Sequence, residues 1–377
     1  MMIPRSPKPD PLQSKFTSTR VELSAALIER DEEVDLALTA LVANEHLLLV
    51  GPPGCGKSLL LDGLLGWLAG GSKFSILLTK FTTVDEVMGP VSLHALKDDR
   101  FRRVTTGRLP EAHLAFIDEI WKASSAILNT LLRVLNERTV ENDGAVVKVP
   151  LLLCVAASNE WASADTGKEL NALQDRFLFR KTVRPILTRA GRDRLLWNRD
   201  HVPKLTTSIT PDEVRTAHAT ATALPWSNDG REALEAILAG LAREGVRPGD
   251  RRQFKAVGAA AAYAWLCGAG EVRPEHLEVL AHVLWDAPEE QPEVCARVIA
   301  KIANPVGMRV TSLLVEVESV LAATDPRNLA DAAKAAAKLG EIARQLEALP
   351  ADGRVEKARA YLKEQLKKIK LASIEAV

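Results

Sequence analysis

The chain has 377 residues, of which 47% are hydrophobic and 26% charged, and its 49 basic residues are balanced by 49 acidic ones. This composition is typical of a folded protein, and the length is enough for two domains and an appendage. The zero net charge argues against a general affinity for nucleic acid or anionic membranes. No apolar run approaches the roughly 20 residues of a membrane span, and the N-terminus lacks an apolar signal core, so we expect a cytoplasmic protein.

The cysteines are spread along the chain without the spacing of a zinc site or a disulfide framework. We interpret them as reduced residues in a reducing compartment. They are Cys55, Cys154, Cys267 and Cys295.

The N-terminal region divides into a proline-rich part and an apolar part. Residues 1–19 contain several prolines and few apolar positions, which predicts a flexible leader. From Arg20 to Ala43 apolar residues recur at helical spacing, with an interruption at residues 27–31. We therefore predict two helices that precede the first strand.

A glycine-rich stretch then fits the Walker A pattern G-x-x-x-x-G-K-[ST]. The apolar run 47–50 predicts a buried strand before it, and the run 59–68 predicts a helix after it, which is the context that the motif requires. Glycines let backbone N–H groups turn towards phosphate oxygens, and the helix N-terminus adds partial positive charge. We predict a nucleoside triphosphate site in which Lys57 reaches the β- and γ-phosphates and Ser58 holds Mg²⁺. The predicted phosphate-binding residues are Gly51, Pro52, Pro53, Gly54, Cys55, Gly56, Lys57, Ser58 and Leu59.

A basic segment follows the next predicted strand, which we place at residues 74–78. The alternation at residues 101–104, behind the turn at 98–99, predicts a hairpin. Two interpretations stay open for its charge: a solvent-facing surface, or a contact surface for a partner or substrate. The basic residues are Arg100, Arg102, Arg103 and Arg108.

The apolar run 114–117 ends in two carboxylates, Asp118 and Glu119. Buried strands of a parallel sheet are continuously apolar, and ligands gather at their carboxyl ends. Asp118 would join the Mg²⁺ shell, and Glu119 would polarise the attacking water. An acidic pair can also simply begin a helix, but its place about 60 residues after the phosphate loop favours the catalytic interpretation.

Further elements complete an α/β pattern. A helix is predicted at 123–137, a second hairpin around the turn 142–144, and strands at 151–157 and 179–183. Asn159 follows one of these strands, where it would hydrogen-bond the γ-phosphate or the lytic water, or else only form a turn. The alternation of strands and helices predicts a three-layer α/β/α domain over residues 20–188.

Strand patterns vanish after residue 188, and residues 189–304 predict an all-α domain. Arg251 and Arg252 open one of its helices, where they oppose the helix dipole, so we expect them to reach solvent or a bound anion. Residues 305–377 carry two apolar stripes, which predicts a C-terminal helical hairpin with a structural or docking role. The helices predicted in the all-α domain are 211–222, 229–244, 251–267, 274–285 and 289–303.

Together these motifs resemble the AAA+ ATPases, and the two hairpins beside the Asp118 strand resemble the MoxR branch of that superfamily. The runs 81–90, 118–123, 127–132 and 135–138 are similar to RavA-type MoxR proteins, and the resemblance covers about residues 20–300. It implies a P-loop α/β/α core with a helical lid, ATP and Mg²⁺ as cofactors, and a hexameric ring. Nothing in it implies a nucleic-acid partner.

The resemblance also implies roles for single residues. Asn159 would be sensor 1, and Arg176 would be an arginine finger acting on the neighbouring subunit's nucleotide. Arg251, or else Arg252, would be sensor 2, contacting phosphate from the lid. The alternative for Arg176 is a surface ion pair with Asp175 or Glu169.

Proteins of this kind are chaperone-like remodellers of protein clients, and they often pair with a partner that carries a von Willebrand factor A domain. The stretch after Pro305 is too short for both the β-rich insertion and the long helical extension of RavA, which argues against lysine-decarboxylase binding. One alternative function is an AAA+ motor that acts on nucleic acid or uses GTP, although the neutral charge argues against it. A second is a nucleotide-gated scaffold with incidental hydrolysis, which the Asp118–Glu119 pair and Arg176 argue against.

Overall fold

The computed structural model describes residues 10–161, 168–197, 205–324, 329–350 and 353–375. Seven strands occur within these residues: β1 (Leu47–Val50), β2 (Lys73–Leu77), β3 (Leu114–Asp118), β4 (Thr139–Asn142), β5 (Ala145–Lys148), β6 (Leu153–Ser158) and β7 (Phe179–Thr182). Five of them form one sheet in the order β2-β3-β6-β1-β7, and all its pairings are parallel. The strands predicted from the apolar runs are therefore present.

Side chains alternate along the central strands and fill two cores. Leu47 and Leu49 of β1 point to one face, and Leu48 and Val50 point to the other. Because both faces are covered, strands β1 and β6 are buried along their whole length. The chain therefore has the three-layer α/β/α architecture of a P-loop fold.

Helices of the first half cover both faces of the sheet. The Leu48 side packs against α4, α6 and α7, whereas α1, α2 and α3 lie on the Leu47 side. Their bounds are α1 (Pro11–Ala26), α2 (Asp31–Ala43), α3 (Lys57–Trp67), α4 (Val84–Met88), α5 (Leu93–Lys97), α6 (Ser125–Glu137) and α7 (Lys168–Arg176).

Helix α1 corrects the prediction of a flexible leader over residues 1–19. Residues 1–9 lie outside the described part of the chain, but residues 11–19 are helical. The Asp10 carboxylate accepts a hydrogen bond from the Leu12 N–H at 3.0 Å, and Pro11 has the fixed φ that suits a first helical turn. The apolar residues of this helix are few, but two of them, Phe16 and Leu23, are fully buried in the core.

The first predicted hairpin is also wrong. Residues 93–97 form helix α5, which Ser92 caps by accepting a hydrogen bond from the Ala95 N–H at 3.3 Å. The only strand-like pairing described there is one antiparallel bridge between Val91 and Arg103. The alternation of side chains at 101–104 therefore reflects an extended segment rather than a hairpin strand.

The second predicted hairpin is confirmed as β4 and β5, and it packs against this extended segment. The Asn142 side chain accepts from the Arg103 N–H at 2.7 Å and donates to the Arg103 carbonyl at 3.2 Å. The Asp143 N–H donates to the Phe101 carbonyl at 3.1 Å. Residues 91–104 and 139–148 thus form one surface unit, which we call the hairpin unit.

The second half of the described chain is helical: α8 (Arg189–Trp197), α9 (Pro211–Thr222), α10 (Asn228–Arg243), α11 (Asp250–Leu266), α12 (Gln291–Ala303), α13 (Pro305–Ala322), α14 (Leu329–Glu347) and α15 (Gly353–Glu375). The segment predicted as a helix at 274–285 is a 3-10 helix at Pro274–His282. The core on the Leu47 side of the sheet continues into α9–α12.

The C-terminal region differs from the predicted hairpin in one respect. Helices α14 and α15 form the hairpin, but α13 packs against both, so the unit is a three-helix bundle. Its apolar residues form a core of their own. The third helix escaped prediction because its exposed face carries apolar residues such as Val315, which obscure the apolar stripe.

No helix in the described ranges is by itself long and apolar enough to cross a membrane. Helices α12 and α13 meet that description only when taken together, and a bend of 113° separates their axes.

Phe16 joins three parts of the fold. Its ring makes edge-to-face contacts with Trp67 of α3 and Trp265 of α11, at centroid distances of 5.4 and 5.1 Å.

We expect Phe16→Ala to lower the free energy of unfolding by about 3–5 kcal/mol, measured by urea titration, because it leaves a cavity between the two indoles. Val21→Ala on the exposed face of α1 should change it by less than about 0.5 kcal/mol. Similar losses in both variants would contradict this role for Phe16.

Candidate functional site

The loop between β1 and α3 is shaped to receive an anion. Gly54 and Gly56 have φ values of +80° and +77°, in the left-handed region that favours glycine. A Cβ atom on Gly51 would lie 2.3 Å from the Val183 carbonyl oxygen, so a side chain does not fit there. Helix α3 begins at Lys57 without a side-chain cap, which leaves its first N–H groups available to a phosphate.

Lys57 has a buried charge that no acidic side chain of the described residues neutralises. Its side chain is only 8% exposed, and Nζ donates to the Gly51 carbonyl at 2.5 Å and the Pro52 carbonyl at 3.2 Å. Its third contact is with Asn159 Oδ1 at 3.2 Å. All three oxygens are neutral. A buried ammonium without a counter-charge is costly, so these contacts fit a site that a phosphate completes.

Asn159 connects Lys57 with Glu119. While its Oδ1 accepts from Lys57, its Nδ2 donates to Glu119 Oε1. Glu119 Oε2 lies 3.2 Å from Lys122 Nζ, and the Glu119 backbone is left-handed with a φ of +54°. A left-handed conformation is strained in glutamate, and such strain is common where a side chain must be aimed. The structure therefore brings together Lys57, Asn159 and Glu119.

The predicted metal ligands suit Mg²⁺. Ser58 is exposed at the start of α3, and Asp118 ends β3 with one oxygen accepting from the Glu119 N–H at 2.9 Å. The described residues contain no cluster of three or more His, Cys, Asp and Glu side chains that could hold a metal alone. Mg²⁺ is usually bound by one or two protein oxygens together with substrate phosphates and water, and a hydroxyl and a carboxylate are suitable ligands. Ser58 and Asp118 are therefore the residues that would hold it.

The predicted arginines gather in a second place, around one carboxylate. Asp175 lies 3.4 Å from Arg176, 3.6 Å from Arg251 and 3.2 Å from Arg252. Arg251 also donates to Asn136 Oδ1 at 2.5 Å. The ion pair of Arg176 with Asp175 is thus present, whereas the side chain of Glu169 lies outside the described part of the chain. Arg176 Nε is buried and has no hydrogen-bond partner among the described residues.

The arginine cluster lies at the opposite edge of the sheet from Lys57. Phe179, three residues after Arg176, pairs with Leu47 at the start of β1, whereas the phosphate loop follows Val50 at its end. A strand of four residues separates the two edges by roughly 13 Å. Within one chain the structure therefore does not bring Arg176 or Arg251 to the phosphate loop.

Arg251 and Arg252, at the start of α11, have different surroundings. Arg252 is 2% exposed and donates to the Leu178 carbonyl at 3.1 Å and the Val283 carbonyl at 2.8 Å, so it joins the sheet to the lid. Arg251 is 37% exposed. Nearby Arg180 is also buried, and burial, together with the charge of Arg252, lowers the pKa of Arg180 to about 9. Arg251 is therefore more exposed than Arg252, and its side chain contacts Asn136 and Asp175.

Two residues of the site were missed by the sequence analysis. Lys122 forms an ion pair with Glu119, from which it is three residues away along a 3-10 turn. The spacing of three residues between opposite charges was the signal that could have identified it. Arg30 donates to the Cys55 carbonyl in the phosphate loop at 2.9 and 3.1 Å. No sequence pattern identifies Arg30, because 25 residues separate it from its partner.

Comparison with known proteins identifies the family of this chain. Residues 14–218 match the family model described as "MoxR domain in the MoxR-vWA-beta-propeller ternary systems". The chain belongs to the MoxR family. Since this match covers more than half of the chain, it also supports the wider AAA+ assignment made from the motifs.

Individual proteins are also similar to this chain. The chain is 40% identical to MJ0812, an uncharacterized protein of Methanocaldococcus jannaschii, over 287 residues that span 76% of this chain and 75% of that protein. It is 27% identical to Protein MoxR of Methylorubrum extorquens over 301 residues, which span 71% of this chain and 86% of that protein. The crystal structure of a putative ATPase from Cytophaga hutchinsonii superposes with a TM-score of 0.62 at 16% identity, covering 77% of this chain and 94% of that one. This structural likeness shows the fold alone.

Proposed function

We propose that this chain hydrolyses ATP with Mg²⁺ and uses the energy to remodel a protein client or complex in a chaperone-like manner. The observation that carries the proposal is the contact chain Lys57–Asn159–Glu119. It joins a cation suited to phosphate, an amide suited to orient water, and a carboxylate suited to accept a proton. We also propose that the chain belongs to the RavA-like subgroup of the MoxR family, which the resemblance of the runs 81–90, 118–123, 127–132 and 135–138 supports.

The three side chains have distinct tasks in this mechanism. Lys57 would exchange its carbonyl and amide contacts for the β- and γ-phosphate oxygens. Asn159, released from Lys57, would orient the γ-phosphate or the attacking water, and Glu119 would accept the proton from that water. Mg²⁺ held by Ser58 and Asp118 would neutralise charge on the phosphates. Lys122 would hold Glu119 in place through its contact at 3.2 Å.

Two substitutions test the division of labour. We expect Lys57→Ala to abolish nucleotide binding, whereas Glu119→Gln should bind ATP with Mg²⁺ and lose 10²–10⁴-fold in turnover, about the contribution of a general base. Binding is measured with a fluorescent ATP analogue and turnover by phosphate release. Glu160→Gln is a matched control, because it removes an exposed carboxylate next to Asn159. Parental turnover in Glu119→Gln would remove Glu119 from the mechanism.

The same assays separate the alternative functions. An AAA+ motor on nucleic acid would be stimulated by DNA or RNA, and a GTP-using motor would prefer GTP to ATP. A nucleotide-gated scaffold would keep its assembly behaviour when Glu119→Gln abolishes turnover.

We further propose a homo-oligomeric ring, a hexamer, in which Arg176 completes the active site of the neighbouring subunit. The support is the separation of the two clusters within one chain, since arginines at one edge of the sheet meet phosphates only on another copy. Arg251 belongs to the same edge through Asp175, so its role as sensor 2 would be exerted on the same neighbouring nucleotide. A guanidinium aimed at the γ-phosphate can contribute 10³–10⁵-fold to turnover.

Mixed rings test the shared site. Arg176→Ala and Lys57→Ala should each be inactive alone, and mixing them should restore partial ATPase activity. In a mixed ring the intact phosphate loop of one subunit meets the intact arginine of its neighbour. Mixing Lys57→Ala with Glu119→Gln is the control, because both lesions affect the same nucleotide site. Full activity of Arg176→Ala alone, or no recovery in rings shown to contain both variants, would contradict the proposal.

We also propose a partner with a von Willebrand factor A domain, which the description of the matched family model supports. Two surfaces are candidates: the α13–α15 bundle and the hairpin unit. Within the hairpin unit, Arg100 and Arg103 form ion pairs with Asp143 and Asp85, so much of its positive charge is already compensated. Beside its exposed charged residues, the unit exposes six large apolar side chains: Leu93, Leu96, Phe101, Val104, Val146 and Val147. We therefore place the contact with client or partner on this unit.

Capture of bound proteins tests that surface. Glu119→Gln, kept in the ATP state, should co-purify a client and a protein with a von Willebrand factor A domain. Adding Val146→Ser and Val147→Ser should abolish capture. Val315→Ser, which removes an exposed valine from α13, should not. Loss of capture only in Val315→Ser would move the contact to the bundle, and absence of any such partner in ATP, ADP and nucleotide-free samples would refute the partner proposal.

A further inference from the structure

The turn between α1 and α2 holds the phosphate loop with a buried arginine. Arg30 is 7% exposed, and its Nε and Nη2 donate to the Cys55 carbonyl at 3.1 and 2.9 Å. Its Nη2 also donates to the Arg184 carbonyl at 2.9 Å, just after β7. One guanidinium thus joins the phosphate loop, the α1–α2 turn and the segment that leads into the lid.

This contact sets the direction of an N–H group in the loop. The Cys55 carbonyl and the Gly56 N–H belong to the same peptide unit, which is planar and trans, so the two groups point in opposite directions. A guanidinium that holds the carbonyl on one side therefore turns the Gly56 N–H to the other. The left-handed φ of +77° at Gly56 belongs to the same turn of the loop.

The residue before Arg30 holds the beginning of the lid. Glu29 Oε2 accepts from the Leu187 N–H at 2.8 Å, and Oε1 accepts from the Thr188 N–H at 3.0 Å and the Thr188 hydroxyl at 2.5 Å. Thr188 directly precedes α8, and its hydroxyl accepts from the Gly191 N–H at 2.9 Å. A Cβ atom on Gly191 would lie 2.1 Å from Glu29 Oε1, so the carboxylate is fitted closely against the first turn of α8.

We propose that Glu29 and Arg30 together link the phosphate loop to the first helix of the lid. In this link Arg30 is a positioning residue that orients the Gly56 N–H towards a phosphate. Glu29 fixes the N-terminus of α8 relative to the α1–α2 turn, so a shift of the turn also shifts α8. The inference rests on the proposed nucleotide binding. Because coupling between two sites is reciprocal, loss of the Glu29 contact must weaken nucleotide binding even though Glu29 makes no described contact with the loop.

A purely structural role is the competing explanation, and it predicts different behaviour. If the turn only stabilised the fold, weakening it would loosen the start of α8 equally with and without nucleotide. A link instead makes the order of α8 depend on whether the loop is occupied. The two explanations therefore differ in how much nucleotide binding changes the order of α8, and not in the stability of the nucleotide-free protein.

Hydrogen exchange in the full-length Glu119→Gln protein distinguishes them. Exchange of the amides at 186–192 should slow when ATP and Mg²⁺ bind. Adding Arg30→Ala or Glu29→Gln should abolish that slowing. Arg30→Ala should also weaken ATP binding about 10- to 100-fold, the loss typical of hydrogen bonds to a charged group. Arg30→Lys, which keeps the charge but not the paired donors, should restore only part of it.

Glu22→Gln is the matched control. Glu22 of α1 accepts from the Thr206 and Thr207 N–H groups at 3.0 and 3.1 Å, so it holds the approach to α9 without a described contact to the loop. It should speed exchange at 205–208 in both states and leave ATP affinity unchanged. Unchanged affinity and intact slowing at 186–192 in Glu29→Gln would overturn the link. Failure of Glu119→Gln itself to bind ATP would instead refute the proposed function on which the link rests.

Discussion

The parallel pairing of β1 between β6 and β7 is the constraint on which the rest of the molecule depends. The Gly51 N–H donates to the Ser158 carbonyl at 3.1 Å, and the Val183 N–H donates to the Val50 carbonyl at 2.7 Å. These bonds place the ends of three strands side by side, so the phosphate loop and Asn159 come from different parts of the chain and meet at one edge. Since all five strands run the same way, the return helix α7 must end at the other edge with Arg176.

This geometry explains which parts of the site could be predicted from the sequence. Residues of the phosphate loop and the Asp118–Glu119 pair follow directly from local patterns, because each lies at the carboxyl end of an apolar run. The place of Asn159 follows from the same rule. By contrast, the sharing of Asp175 by three arginines depends on the angle at which the lid packs, which no local pattern encodes. The contact of Arg30 with Cys55 escaped for the same reason.

The errors in the predicted fold have physical causes as well. The first half of helix α1, residues 11–19, was missed because a single aromatic residue, Phe16, anchors a largely polar stretch, and the average composition of a segment does not reveal one buried ring. Residues 93–97 were expected to be extended, but a Ser92 cap is enough to begin a short helix there. The strands were predicted well because burial on both faces forces continuous apolar runs.

The distribution of the cores bears on how such a chain can vary. One core runs from the sheet into α9–α12 without a break, so the α/β domain and these helices stabilise each other. The domain boundary predicted at residue 188 therefore does not separate two cores. Helices α13–α15, by contrast, enclose a core of their own. A gene that exchanged everything after Pro305 for another compact module would leave the nucleotide-binding part intact, whereas a recombination at residue 188 would cut through a single packed interior. Within the described chain, the C-terminal bundle is thus the part whose interior does not depend on the sheet or on α9–α12.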